Sequence, residues 1–226
     1  SVPSQFCVDS FLAKGVSSRK VAKIPYGAML ERFYPSHPIA SKQDDEFRVL
    51  FVGQGGPRKG FIDLLKAFSL LQHPRKRLTL IGSLSLEAQA LLDHTTPSHV
   101  EFLGAVPNAQ LREHYSCASA FVLPSIEEGL AMVMGEAMAC GCPLIASTNT
   151  GAADLFTDGR EGFIVPIRSP DVIADRLQQL ADEPMLRERM SQAALARVNQ
   201  LSGWDAYGAA WDRFLKLQIS SISTQL

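Results

Sequence analysis

From Phe47 onward the chain alternates short apolar runs with longer segments in which apolar residues recur every three or four positions. Short apolar runs bounded by glycine or proline predict buried strands, and the longer periodicity predicts helices packed on them. Strands are expected at Arg48 to Val52, Leu78 to Ile81, Val100 to Leu103, Ala120 to Leu123, Pro143 to Ala146 and Gly162 to Val165. Helices are expected at Phe61 to Leu71, Leu86 to Asp93, Ala109 to Ala118, from Leu130 toward Gly141, near Gly151 to Phe156, and at Pro170 to Ala181. Strands alternating with helices of this length make a parallel sheet covered on both faces. The fold class is therefore α/β, a Rossmann-like doubly wound domain. Met185 to Leu217 reads as helical without strands, broken near Ser202-Gly203.

Before Phe47 the pattern is less regular. Phe6, Val8, Phe11 and Leu12 suggest a short amphipathic helix stopped by Gly15, and Val21 to Ile24 a short strand cut off by Pro25 and Gly27. This is half of an α/β unit. Residues Glu31 to Glu46 carry prolines and then the polar, acidic run SKQDDE, which predicts an exposed connection and a domain boundary. Residues 1–35 are thus read as the end of one domain with its linker, and 36–226 as the Rossmann-like domain with C-terminal helices.

Composition narrows the function classes. The chain has 226 residues, 46% hydrophobic and 20% charged, as in an ordinary soluble protein. Its net charge of −1 gives no general attraction to nucleic acid or to an anionic membrane. No apolar run approaches the roughly 20 residues of a membrane span, and no signal peptide opens the chain. The four cysteines, Cys7, Cys117, Cys140 and Cys142, have neither zinc spacing nor a secreted disulfide pattern. Reduced thiols and a cytoplasmic setting are expected. The chain lacks an initiator methionine and begins inside what reads as a helix or strand, so a fragment of a longer protein is expected.

The chemistry concentrates in Leu123 to Ser147, LPSIEEGLAMVMGEAMACGCPLIAS. An apolar strand ends at Pro124-Ser125, Glu127 and Glu128 precede Gly129, and good helix formers follow. Counted from Leu130 at about 100° per residue, Val133, Met134, Ala137 and Met138 face the core and Glu136 lies on the boundary. On the same count Glu128 and Glu136 share an edge, roughly 80° apart and about 12 Å along the axis. A carboxylate among so many apolar and small neighbours needs a hydrogen-bonding partner, and a ligand's hydroxyls are one candidate. The plain structural reading has the first two glutamates favoured by the helix macrodipole and Glu136 in solvent. The sharper reading puts free N–H groups at Gly129 and Leu130 on a helix N-terminus at the carboxyl edge of the sheet, where a phosphate binds. Gly135 leaves room beside Glu136 for a close approach.

A second informative turn, Gly53-Gln54-Gly55-Gly56-Pro57-Arg58-Lys59-Gly60, follows the first strand. It is not a P-loop, because Lys59 is followed by Gly60 rather than Ser or Thr and the spacing is wrong, nor the dinucleotide fingerprint, because the third glycine is missing from its place. Taken alone it is a tight turn with two surface bases. At the carboxyl end of the first strand, however, it puts cations where ligands bind in open α/β sheets. If the fourth strand neighbours the first, Arg58 and Lys59 face Gly129.

These stretches together resemble the retaining family-4 glycosyltransferases. Glu128 to Glu136 matches that family's E-x7-E signature, followed in family order by Gly151 and DGREGFIVP. FVGQGGPRKG resembles its first-strand turn, FLGAVP its third-strand turn, and VAKIPYGAMLERFYP the segment that joins its two domains. The resemblance runs from about Ser4 to Pro166. It implies the C-terminal, donor-binding half of a GT-B enzyme, with the N-terminal acceptor domain missing apart from its last piece. It implies that Glu128 meets the donor sugar, that Glu136 accepts the ribose hydroxyls, and that Lys59 binds the diphosphate. Gln54 stands where the family usually has an arginine, a departure for which Arg58 is the candidate substitute. Gly55 and Gly56 belong to the same turn. Gly104 and Val106 resemble the nucleobase pocket, and the backbone at Gly129, Leu130, Ala131 and Met132 the sugar and phosphate cradle. Asp154, where the family often has glutamate, is taken as structural.

The implied partners are a nucleotide-diphosphate sugar as substrate, the missing acceptor domain, and an acceptor that is a saccharide or a lipid-linked glycan. Neither metal nor other cofactor is implied, and no nucleic acid. Peripheral contact with a membrane through the missing domain stays open beside the cytoplasmic expectation. The alternative from another class is a nucleotide-sugar-binding or regulatory module without transfer, for which Gln54 is the hint. An NAD-dependent dehydrogenase is disfavoured, since Ile81-Gly82-Ser83 stands where an acidic residue is required. His37, His73, His94, His99 and His114 lack ligand spacing and read as surface or helix-edge residues. Met132, Met134 and Met138 read as core.

Overall fold

The computed structural model of the chain describes residues 1–27, 30–36, 46–95, 99–201 and 203–223. The strands are β1 (Phe47–Val52), β2 (Lys76–Ile81), β3 (Val100–Gly104), β4 (Ala120–Leu123), β5 (Leu144–Ser147) and β6 (Gly162–Val165). They form one parallel sheet in the order β3-β2-β1-β4-β5-β6. In β4 and β5 every residue is buried, as expected of short apolar strands covered on both faces. β2 starts two residues before its apolar run because Arg77 is held at the sheet edge by Glu46, at 3.0 Å, and Glu101, at 3.6 Å.

The helices are α1 (Gln5–Ala13), α2 (Phe61–Leu70), α3 (Leu86–Thr95), α4 (Asn108–Cys117), α5 (Met132–Ala139), α6 (Ala152–Leu155), α7 (Pro170–Asp182), α8 (Pro184–Val198) and α9 (Trp204–Ser223). α2 packs on α7, while α5 lies between α4 and α8. The chain winds outward from β1 to β3, then returns to place β4 on the other side of β1. Reversal of the winding opens a crevice outside the carboxyl ends of β1 and β4. That is where the two chemistry-bearing turns emerge.

Two expectations for the N-terminal part are corrected. Val21 to Ile24 is not a strand: Lys23 makes only an isolated parallel bridge to Val2. The connection expected at 31–46 is not all exposed, since Phe33 is buried with its ring 5.9 Å from that of Tyr115. The rest of that connection, 37–45 with His37, lies outside the described residues, as do the side chain of His94 and residue Ser202. At the far end, α9 stands largely in solvent. Its stripe of Trp204, Tyr207, Trp211 and Phe214 forms a ladder of edge-to-face rings with successive centroids 5.4, 6.4 and 5.8 Å apart. Tyr26 meets that ladder at Tyr207, 6.0 Å away. No described helix is long and apolar enough to cross a membrane.

Candidate functional site

The crevice is built by one close approach. After β1 the chain makes a single 3-10 turn, Pro57–Lys59, and Gly60 follows at φ +65°. A Cβ on Gly60 would lie 2.0 Å from the carbonyl oxygen of Pro124, so only glycine lets the two turns touch here. The contact is continued by the Ile126 N–H, which donates to the Arg58 carbonyl at 2.8 Å. Arg58 and Lys59 are thereby carried onto the loop after β4.

That loop is tied on several sides. Ser147 Oγ donates to the Ser125 carbonyl. Asn149 Nδ2 donates to the Ile126 carbonyl at 2.9 Å, and Arg58 Nη1 to the Glu127 carbonyl at 3.2 Å. The Glu128 N–H donates to the Asn149 carbonyl at 2.8 Å, and Ser4 Oγ donates to the Gly129 carbonyl. These bonds hold residues 126–131 outside the helix, with Ala131 extended at φ −85°, ψ 117°, as its N-cap. The expectation of a helix from Leu130 is therefore corrected to Met132–Ala139. Glu128 lies four residues ahead of it, so the shared helical edge at roughly 80° and about 12 Å does not exist. Gly129 and Leu130 are not helix-tip residues, yet their N–H groups and those of Ala131 and Met132 make no hydrogen bond among the described residues. Met132 is 43% exposed at the helix start, not core, whereas Met134 and Met138 are buried as expected.

Two of the expected site residues meet directly. Lys59 Nζ donates to Glu128 Oε2, with the two side chains 14% and 18% exposed, and Arg58 Nη1 stands 3.7 Å from the same oxygen. Arg58 thus faces the acidic loop, whereas Gln54 is exposed. Gly55 serves the fold: its N–H donates to the Ser83 carbonyl at 2.8 Å, and a Cβ there would lie 2.5 Å from Leu84. Gly56 accepts from the N–H groups of Lys59 and Phe61. Gly104, at φ +69°, closes β3, with exposed surface around Val106 only partly covered. Neighbouring strands are about 4.8 Å apart, so the β3 turn lies roughly 14 Å from the β4 turn along the same sheet edge. A nucleotide can span that interval.

Glu136 has a protein partner that the sequence did not reveal. The hydroxyl of Tyr115, fully buried at the end of α4, donates to Glu136 Oε2 at 3.0 Å. Burial pushes the Glu136 carboxyl up from its ordinary 4.5, and the Tyr115 hydrogen bond pulls it partly back. Burial, reinforced by Glu136, pushes the Tyr115 phenol well up, so it remains a donor. One carboxylate oxygen is thus oriented by the protein. Asp154 accepts from the Gln5 N–H at 2.8 Å and Lys23 Nζ at 2.9 Å, as befits a structural residue.

Residues 35–197 match the family described as Glycosyl transferases group 1. The D-inositol 3-phosphate glycosyltransferase of Streptomyces avermitilis is 32% identical over 211 residues, covering 84% of this chain and 45% of that protein. The sucrose-phosphate synthase from Thermosynechococcus elongatus superposes with a TM-score of 0.82 at 26% identity, over 97% of this chain and 58% of that one. HepE of Anabaena, solved in complex with UDP and glucose, superposes with a TM-score of 0.83 at 20% identity, over 95% and 62%, a likeness of fold. The chain spans about half the length of the curated relatives it matches.

Proposed function

The chain belongs to the glycosyl transferases group 1 family, and on that premise we propose that it is the donor-binding half of a retaining glycosyltransferase. In this reading residues 36–226 hold a nucleotide-diphosphate sugar, and residues 1–35 lead from an acceptor-binding domain. The observation that carries it is the convergence of Lys59 and Glu128 from two separate turns at the mouth of the crevice, with Glu136 oriented behind them by Tyr115. The relatives named as glycosyltransferases support it, as does a UDP complex in the same fold.

The parts divide the work as follows. Glu136 accepts from the ribose hydroxyls, and the turn at Gly104 and Val106 borders the base. Lys59, with Arg58 at the rim, and the N–H groups of residues 129–132, which have no partner among the described residues, hold the diphosphate. Glu128 accepts from the sugar. As the bond from the anomeric carbon to the diphosphate oxygen breaks, its electron pair leaves with the diphosphate. Preorganised donors aimed at that growing charge lower the barrier, and the reading asks for no metal ion. Lys59 and Glu128 satisfy each other before the donor arrives; its phosphate takes the lysine and its sugar takes the carboxylate.

Calorimetry with uridine, UDP and UDP-sugars, then with other nucleoside diphosphates, tests the assignment. Affinity should rise from nucleoside to diphosphate to sugar conjugate for at least one base, and a flat response across the panel would overturn it.

Exchange of partners at Lys59 makes Glu128→Gln informative. Removing that charge frees the lysine and removes a repulsion, so the bare diphosphate should bind up to about fivefold more tightly, the scale of an ion pair worth ~1 kcal/mol. Preference for the sugar conjugate over the bare diphosphate should fall at the same time. Weaker diphosphate binding in calorimetry would place Glu128 away from Lys59 in the bound state.

The raised carboxyl of Glu136 gives a pH dependence. Its folded value lies above 4.5, so protons are held more tightly in the folded chain, and its contribution to stability falls as pH rises through that window. Accepting two ribose hydroxyls needs the ionised form, so ribonucleoside affinity should drop as pH falls through the same raised value. Tyr115→Phe removes a bond that favours ionisation and should shift the midpoint to higher pH. An affinity independent of pH, measured by titration from neutral into mild acid, would remove Glu136 from the ribose.

A further inference from the structure

Ser4 lies far from the donor-binding segments in the chain but touches their centre. It is fully buried, and its side chain does two things at once. The oxygen accepts the Cys7 N–H at 3.3 Å as the N-cap of α1, and the hydroxyl donates to the Gly129 carbonyl. Its anchorage is independent of the loop: the adjacent Gln5 N–H donates to Asp154 Oδ2 at 2.8 Å, Lys23 holds the other oxygen of Asp154, and Val2 is bridged to Lys23. On the opposite side Gly151 closes the space, since a Cβ there would lie 2.6 Å from the Gly129 oxygen and 2.9 Å from Ser4 Cβ.

A trans peptide points its C=O and the following N–H in opposite directions. Fixing the Gly129 carbonyl on Ser4 therefore turns the Leu130 N–H away from α1, and that N–H has no protein partner among the described residues. The flanking Glu128 N–H is already taken by Asn149. With Gly129 free to rotate, this peptide is the one in the loop whose orientation rests on a side chain from the N-terminal segment. We infer that Ser4 is a positioning residue for diphosphate binding, holding the Gly129–Leu130 peptide so that the Leu130 N–H is presented to the donor's phosphate. The inference rests on the donor-site reading above. It also makes the phosphate cradle dependent on a segment outside the Rossmann-like core.

Ser4→Ala removes the donor to Gly129 and leaves every group at the crevice unchanged. In the purified chain, calorimetry should show UDP affinity, or that of whichever nucleoside diphosphate binds, reduced roughly tenfold with nucleoside affinity unchanged. Ser4→Thr keeps the hydroxyl and should restore the diphosphate affinity. As a readout that a purely structural cap would not move, the Leu130 amide resonance of the unsubstituted chain should shift downfield on adding the diphosphate and not on adding the nucleoside. Unchanged diphosphate affinity in Ser4→Ala, equal losses for both ligands, or a Leu130 resonance indifferent to the diphosphate would each overturn the role of Ser4 while leaving the donor site standing. If the unsubstituted chain binds no nucleoside diphosphate, the donor-site reading fails and this inference fails with it. Should Ser4→Ala not fold, the Leu130 resonance in the unsubstituted chain still decides.

Discussion

Gly60→Ala is expected to lower the melting temperature by roughly 6–12 °C and to abolish measurable diphosphate binding. Two costs add at one position. Alanine at φ +65° is strained by about 1–2 kcal/mol. Its Cβ would also lie 2.0 Å from a backbone oxygen, that of Pro124, which cannot turn aside as a side chain would. The turns must separate, breaking the bond from the Ile126 N–H to the Arg58 carbonyl. A total near 3 kcal/mol, at roughly 2–4 °C per kcal/mol for a chain of this size, gives the stated shift. Function is hit harder than stability, because the same separation carries Lys59 away from Glu128. Differential scanning calorimetry and a binding titration check the two halves. A melting temperature within about 2 °C of the unsubstituted protein would mean that the approach of the two turns is not under constraint.

Lys59→Ala should weaken nucleoside diphosphate binding ten- to hundredfold and leave nucleoside binding nearly unaffected. A charge-assisted contact to phosphate contributes about 1.5–3 kcal/mol, which sets that range. The structure adds a second cause, since Glu128 loses its principal partner and remains as a half-buried anion beside the incoming phosphate. Arg58, at 3.7 Å and far more exposed, compensates only in part. The double substitution Lys59→Ala with Glu128→Gln should therefore bind the diphosphate better than Lys59→Ala alone, a coupling that a double-mutant cycle measures directly. Equal losses for nucleoside and diphosphate would put Lys59 outside the phosphate cradle.

The inner strands were legible in the sequence because they are short, apolar and almost wholly buried, and β4 and β6 fall where the pattern places them, whereas β3 at the edge of the sheet leaves Phe102 and Leu103 exposed. β2 was read short because Lys76 and Arg77 look like turn residues. Arg77 is neutralised by Glu46 from 31 positions away, while Lys76 caps the carbonyls ending α2. The start of α5 was misread for a related reason. Leu130 and Ala131 are good helix formers, and what keeps them out of the helix is bonding of the preceding residues to Ser4 and Asn149, contacts that local propensity does not contain. Glu136 was recognised as a carboxylate in need of a partner, but Tyr115 was not recognised as that partner. Nothing in the spacing of α4 marks it, and only the packing of α4 against α5 brings the hydroxyl to the carboxylate. That Arg58 and Lys59 face the loop at Gly129 was legible once β1 and β4 were taken as neighbours, which the strand order bears out, while the direct bond from Lys59 to Glu128 was not.

The aromatic ladder of α9 decides how unfolding of this protein has to be followed. Both tryptophans of the chain, Trp204 and Trp211, stand on that solvent-washed helix, and the sheet core holds none. Intrinsic fluorescence excited at the indole band will therefore report whether α9 is folded and held at Tyr26, and it will be silent about the six strands. A fluorescence transition that precedes the far-ultraviolet dichroism transition would record the peeling away of one helix, and taking it for the global midpoint would understate the stability of the sheet and its crevice.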